Sequence, residues 1–143
     1  MLNEASDELE MIQGDEALSA DVMRLRIDLY HQAKHWDLLE AVAKALVRLC
    51  PKDEQGWVSW AWATRRHKGI PEAKEVLLKA EPTIGDTSAT LHYNLACYAC
   101  QLGDMKEAKR RLSMACKMHP DFKASALDDP DLQPMWDDIA TMA

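Results

Sequence analysis

Residues 91–120 read LHYNLACYACQLGDMKEAKRRLSMACKMHP, and this stretch decides the fold. Ala108, Leu112 and Ala115 fall at i, i+4 and i+7, the spacing that places side chains on one face of an α-helix. Gly103-Asp104 breaks the stretch in the middle. Asp104 with Glu107 has the form of a capping box, in which two orphan backbone donors are satisfied reciprocally. His119-Pro120-Asp121 ends it. Two helices follow from this, over 87–102 and 105–118, joined by a tight turn.

The same pattern recurs upstream. Ala61 and Ala96, Ala73 and Ala108, and Ala80 and Ala115 each lie 35 residues apart, and stepping 34 residues back from Ala61 and Ala80 reaches Ile27 and Leu46. Met23, Ile27 and Tyr30, then Leu39, Ala43 and Leu46, then Ala73, Leu77 and Ala80 repeat the helical face. Breaks fall at Pro51-Lys52-Asp53, Gly69-Ile70-Pro71 and Gly85-Asp86-Thr87. Pro71 suits a first helical position, where its missing N–H costs nothing, and Asp37 with Glu40 offers a second capping box. The spacing predicts helices over 17–34, 37–49, 54–68, 71–81, 87–102 and 105–118, with an acidic helix at 3–12. A short turn near 121–127 and an apolar helix around Leu132–Ile139, kept short by Pro130 and Pro134, complete the chain. A two-helix unit of this length cannot bury its apolar face alone and must stack on a neighbour, which predicts an all-α solenoid.

These residues resemble the tetratricopeptide repeat (TPR). The third repeat fits best, through Leu95-Ala96, Gly103, Ala108, Leu112, Ala115 and Pro120. The second offers Trp57, Trp60-Ala61, Ala73, Leu77 and Ala80, with Gly85 where the closing proline belongs. The first is weakest: Met23, Ile27, Tyr30, Leu39, Leu46 and Pro51, with Ile27 and Leu39 large where small residues are usual. The resemblance implies one domain over 1–143, a right-handed α-solenoid of about three helix–turn–helix repeats at 20–53, 54–88 and 89–122. An acidic segment over 1–15 precedes them and a C-terminal cap over 123–143 follows. Tyr93–Cys100, with Ala126–Leu132 and Trp136, is also similar to the closing unit of bacterial TPR arrays. In the cap, Leu127, Leu132, Met135, Trp136 and Ile139 would cover the last apolar face, while Asp128, Asp129, Asp131, Asp137 and Asp138 face water. The other reading of Trp136 and its neighbours is docking on another chain.

The family binds ligands in a concave groove lined by the first helix of each repeat. That geometry selects Arg24, Asp28, His31 and Gln32 from repeat one, Ser59, Trp62, Arg65 and Arg66 from repeat two, and Tyr93, Asn94, Cys97 and Gln101 from repeat three. Trp57 and Trp60 face the core one turn apart, whereas Trp62 lies about 200° from Trp60 and is the best aromatic anchor. Arg65 or Arg66 would meet a carboxylate, or simply face the helix C-terminal dipole. Tyr93 is either a contact or a packing residue. Tyr93 and Cys97 stand where the two-carboxylate clamp of heat-shock co-chaperones needs basic side chains, so a clamp of that type is rejected.

Composition narrows the function. The 143 residues carry 17 basic and 24 acidic side chains, a net charge of −7. Residues 1–21 hold seven acids and no base, residues 124–143 five acids and no base, and the middle holds 17 bases against 12 acids. A duplex nucleic-acid reader is usually basic overall, so nucleic acid is not an expected partner. No stretch approaches a membrane span, and the N-terminus lacks the basic and apolar regions of a signal peptide. Four cysteines without a secretion signal point to a reducing, cytoplasmic setting.

Catalytic motifs fail one by one. Cys97-x-x-Cys100 lies mid-helix, without a second pair for a metal site or a neighbouring strand for a redox site. Asp128-Asp129-x-Asp131 is half a calcium loop without its Gly or bidentate Glu. No phosphate loop, nucleophile elbow or His-Glu-x-x-His is present. Lys106, Lys109, Arg110 and Arg111 read as a solvated convex face. The expectation is a non-enzymatic adaptor without cofactor or metal that binds a peptide segment of another protein. A homodimer pairing through terminal helices is the alternative, and a metal or redox role for Cys97 and Cys100 the weakest reading.

Overall fold

Each expected break coincides with a real end of a helix. A computed structural model describes residues 16–142, and those residues are all-helical, with no strand among them. In chain order they form α1 (Glu16–Ala33), α2 (Trp36–Leu49), α3 (Glu54–His67), α4 (Ile70–Ile84), α5 (Ala89–Gln101), α6 (Met105–Met118) and α7 (Phe122–Leu127). A 3-10 helix (Pro130–Met135) and α8 (Trp136–Ala140) follow. The acidic helix expected at 3–12 lies outside the described residues. The chain divides into two compact units, Met1–Val76 and Leu77–Ala143.

In the first unit α1 packs on α2, and α2 on α3. Ala20 and Ile27 of α1, Leu39, Val42 and Leu46 of α2, and Ala63 of α3 share one core. Gly56 of α3 allows a close approach: a Cβ there would sit 3.1 Å from the Val47 Cγ2.

In the second unit α5 is buried on nearly every face, from Ala89 through Cys100 with only Thr90 and Asn94 less enclosed. A helix apolar all round belongs in the middle of its layer. α6 covers it with Ala108, Leu112 and Ala115, and the C-terminal segment with Ala126, Leu132, Met135 and Ile139. The cap residues named from the sequence therefore pack on α5 and α6, with Leu127 and Trp136 partly buried at the margin. Residues 130–135 are 3-10 rather than α-helix. Pro134 supplies no N–H for a continuing ladder, and Asp129 starts the tighter turn by accepting the Asp131 N–H at 3.0 Å.

One backbone device ends two of the long helices. After α5, Gly103 takes φ +85°, the Asp104 N–H bonds to the Ala99 carbonyl and the Gly103 N–H to that of Cys100. After α1, Lys34 takes φ +59°, with His35 N–H on Tyr30 and Lys34 N–H on His31. This is the Schellman closure. Gly69, at φ +130°, occupies the corresponding place after α3, so positive φ recurs at 34, 69 and 103. A lysine there carries the Cβ penalty that glycine avoids. Lys34→Gly is expected to raise stability by about 1 kcal/mol, read as a higher urea midpoint with unchanged slope.

Three local expectations need correction. α4 continues past Glu81 through Pro82 to Ile84. Pro82 lies inside the last turn, where it gives up one N–H bond to the preceding turn without ending the helix; Ile84 is buried, and the Gly85 N–H closes on the Glu81 carbonyl at 2.8 Å. The Asp37–Glu40 box does not form: His35 precedes α2 without a side-chain cap, and Glu40 turns inward. Asp104 caps α6 by accepting the Glu107 N–H at 3.2 Å, but the Glu107 carboxylate goes to Arg110 and Arg111 instead of reaching back.

Candidate functional site

The first unit gathers three of the twelve groove residues into one cluster. Trp62, from α3, lies with its ring centre 5.8 Å from that of His31, from α1. His31 also meets Trp36, at the start of α2, edge-on at 5.9 Å. Arg66, one turn beyond Trp62, lays its guanidinium 4.7 Å above the Trp62 ring and 5.9 Å from that of Trp36. Such stacking attracts the cation to the negative face of the ring. The sequence assigns Trp62 the anchor role and Arg65 or Arg66 a carboxylate to meet; in the structure Trp62 lies beneath Arg66. The Trp62 Nε1 is buried without a hydrogen-bond partner among the described residues, and its ring packs on the core. Trp62 is the platform, and the exposed Arg66 is what solvent meets. Asp28, His31 and Gln32 are exposed on α1, and Ser59 and Arg65 are half-buried on α3. Trp36 was missed, because it opens a helix instead of recurring in the repeat.

Arg24 is committed elsewhere. It bonds Asp53 through Nε at 3.0 Å and also through Nη2, and Asp21 at 2.9 Å. Asp53 uses its other oxygen to cap α3, accepting the Gln55 N–H at 2.9 Å. The second unit repeats this arrangement. The Tyr93 hydroxyl donates to Asp129 Oδ2 at 2.7 Å, while Asp129 Oδ1 caps the 3-10 helix.

Tyr93 and Cys97 are therefore not groove residues. Tyr93 is buried, stacked on Phe122 at 4.8 Å, and Cys97 is buried with Sγ 3.7 Å from Asp129. The Gln101 amide donates to the Asp131 carbonyl at 2.8 Å. The chain's own residues 122–135 occupy the face of α5 that the sequence assigned to a ligand, leaving Asn94 half-buried as the remaining candidate there. Burial, with the Asp129 hydrogen bond, pushes the Tyr93 phenol well up. Asp129 and Asp131, expected in water, are half-buried for the same reason.

Two buried polar networks hold the helices in place. In the first unit, Glu40 accepts from Thr64 Oγ1 at 2.8 Å and Lys68 Nζ at 3.0 Å, with His67 Nε2 at 3.2 Å and Lys44 at 3.5 Å. Burial raises its pKa, but the hydrogen bonds from Lys68, Thr64 and His67, with the Lys44 charge, outweigh it and hold the carboxyl at about 2. A folded pKa below the ordinary 4.5 contributes stability above pH 4.5 that is lost as pH falls toward 2. Wild type should lose on the order of 2 kcal/mol over that window through this group. Urea midpoints at pH 7, 4.5, 3 and 2 check this, and Glu40→Gln should flatten the acid limb.

In the second unit Arg111, 3% exposed, is not part of a solvated face. Nη1 and Nη2 bond Glu81 at 2.7 and 2.9 Å, Nε bonds Glu107 at 3.2 Å, and Nη1 also donates to His92 Nδ1 at 3.0 Å. Because arginine only donates, His92 carries its proton on Nε2 and gives it to the Gly85 carbonyl at 2.7 Å. The hydrogen bond from Arg111 holds Glu81 below its ordinary pKa, and that from Arg110 holds Glu107 at about 2.

The cysteines do not form a reactive pair. Cys100 Sγ lies 3.9 Å from Met105 Sδ, and burial, aided by Asp131, pushes its thiol up. Burial does the same at Cys116. Cys97, Asp129 and Asp131 bring a thiol and two carboxylates within 4.8 Å of one another. Both Asp129 oxygens already accept hydrogen bonds, from Tyr93 and from the Asp131 N–H, so the cluster starts a helix. No described helix is long and apolar enough to cross a membrane.

No protein-family model and no curated protein matches the chain.

Proposed function

We propose that this protein is a non-catalytic interaction module of tetratricopeptide type, acting in the cytoplasm. Its first unit captures a peptide segment of another protein through an acidic side chain or terminal carboxylate. The observation that carries this is the Arg66 guanidinium held over Trp62 and Trp36 and open to solvent. An exposed arginine ordinarily loses rotamer freedom when it binds. Stacking fixes the fork beforehand, so less entropy is lost on meeting a carboxylate. Exposed His31, packed against Trp62 and Trp36, adds a donor for the peptide backbone. The recurrence of positive φ at 34, 69 and 103 supports the repeat assignment.

The test is a peptide array probed with wild type and two variants. Wild type should select peptides carrying Asp, Glu or a free C-terminus. Arg66→Glu should weaken those spots by about tenfold or more, and Arg66→Lys should only partly retain them, because a lysine keeps charge but not the stacked planar fork. Trp62→Ala is a poor probe, since Trp62 packs on the core and its loss would destabilise the unit itself. Equal binding of acidic peptides and their amide counterparts by wild type would reject the reading.

A further inference from the structure

The first unit also carries an apolar groove that the Arg66 platform does not use. It has a volume of about 240 Å³ and lies between Met23, Arg26 and Tyr30 of α1 and Leu38, Ala41 and Ala45 of α2. On α2, Glu40 and Val47 face α3, through Thr64 and Gly56. Leu38, Ala41 and Ala45 lie about 140° round the helix from them, on the opposite flank. Leu38 is 39% exposed there, a large aliphatic side chain at the lip of an apolar trough. Apolar surface of this kind is stabilised by whatever excludes water from it.

We propose that residues 1–15 of the chain itself are the occupant of this groove. Three observations favour that segment. First, it joins α1 directly. Met23 lies seven residues into the chain from Glu16, about 10 Å along the helix axis, and the eleven residues Leu2–Ile12 extend to about 36 Å at most, so reach is ample. Gly14-Asp15 gives the chain a place to reverse direction. Second, the segment has what the groove needs: Leu2, Leu9 and Ile12 fall at i, i+7 and i+10, one face at helical spacing. Third, the charges complement each other. The segment holds Glu4, Asp7, Glu8, Glu10 and Asp15 with no base. Arg26 lines the groove, and exposed Arg48 follows Ala45 by three residues on the same flank. Apolar side chains fill the trough while carboxylates meet the arginines at its rim.

The experiment places a photo-reactive benzophenone amino acid at position 9 of the full-length chain and maps its cross-links by mass spectrometry. The expected result is a cross-link within one chain to the stretches containing Met23–Tyr30 or Leu38–Ala45, with a yield independent of protein concentration. Ala41→Glu, at an exposed position that leaves the core intact, should lower that yield by about tenfold by setting a carboxylate against the acidic segment. A cross-link to any other surface, or none, overturns the proposal. So does an unchanged yield in Ala41→Glu with an unchanged far-ultraviolet spectrum. Cross-links between two chains, rising with concentration, overturn it too and assign the groove to a second copy.

Discussion

Arg111→Ala is expected to lower the stability of the second unit by about 4 kcal/mol. Arg111 is 3% exposed, and its guanidinium bonds Glu81 through both terminal nitrogens, Glu107 through Nε and His92 through Nη1. Removing it leaves His92 Nδ1 buried without its donor, Glu81 without the guanidinium that lowers its pKa, and Glu107 with Arg110 alone. The penalty exceeds that of a surface ion pair because Arg111 and His92 are both buried, and His92 is too enclosed for water to replace the lost donor. Glu81→Gln should cost less, about 1 kcal/mol, since a third of that side chain is already open to solvent. Arg111→Lys should recover little, because one ammonium cannot grip the Glu81 carboxylate with two parallel bonds and reach His92 as well. Urea denaturation with a double-mutant cycle on Arg111 and Glu81 measures the coupling. A loss within about 1 kcal/mol of zero for Arg111→Ala would mean that the network is solvated.

Leu132→Ala is expected to cost about 3 kcal/mol. Leu132 is fully buried in the core that joins α5, α6 and the C-terminal segment, beside Met135 and Ile139, which are equally enclosed. The 3-10 backbone around it is pinned by Asp129 and by the Trp136 indole, which donates to the Ala126 carbonyl at 2.9 Å, so the site cannot collapse freely into the space left. Removing the chain from Asp129 onward deletes all three side chains and the acceptor of the Tyr93 hydroxyl. The second unit should then lose its cooperative unfolding transition. A truncated chain whose near-ultraviolet spectrum and calorimetric transition match wild type would show that the segment is an accessory and not part of the core.

Helix positions were legible because they depend on a one-dimensional signal. Apolar spacing and Gly or Pro breaks located the six long helices among the described residues, with ends displaced where a local device intervened: Lys34 in left-handed backbone, Pro82 tolerated in a last turn. What the sequence hid was the direction of polar side chains. Glu40 looked like the reach-back member of a capping box, and Arg111 like one more cation in a basic run. Each is turned inward because a partner distant in sequence, Thr64 for one and Glu81 for the other, waits across the helix interface. Such pairs leave no local pattern. The candidate site was read in part for the same reason. His31, Trp62 and Arg66 were all named, but not their order from core to solvent. Cys97 and Gln101 read as groove residues and Tyr93 as either a contact or a packing residue, whereas the chain's own C-terminal segment claims all three.

The aspartates at 53 and 129 each divide their carboxylate between two tasks. Oδ1 receives a backbone N–H and begins the next element, while Oδ2 receives a side chain from an earlier helix, Arg24 in one case and Tyr93 in the other. At position 53 an asparagine could keep the first task and not the second, since its amide nitrogen cannot accept a hydrogen bond from an arginine, which only donates. Starting a helix and stiffening its elbow against an older neighbour are thus separable by a single isosteric change, a way to loosen one joint of the chain without unwinding either arm.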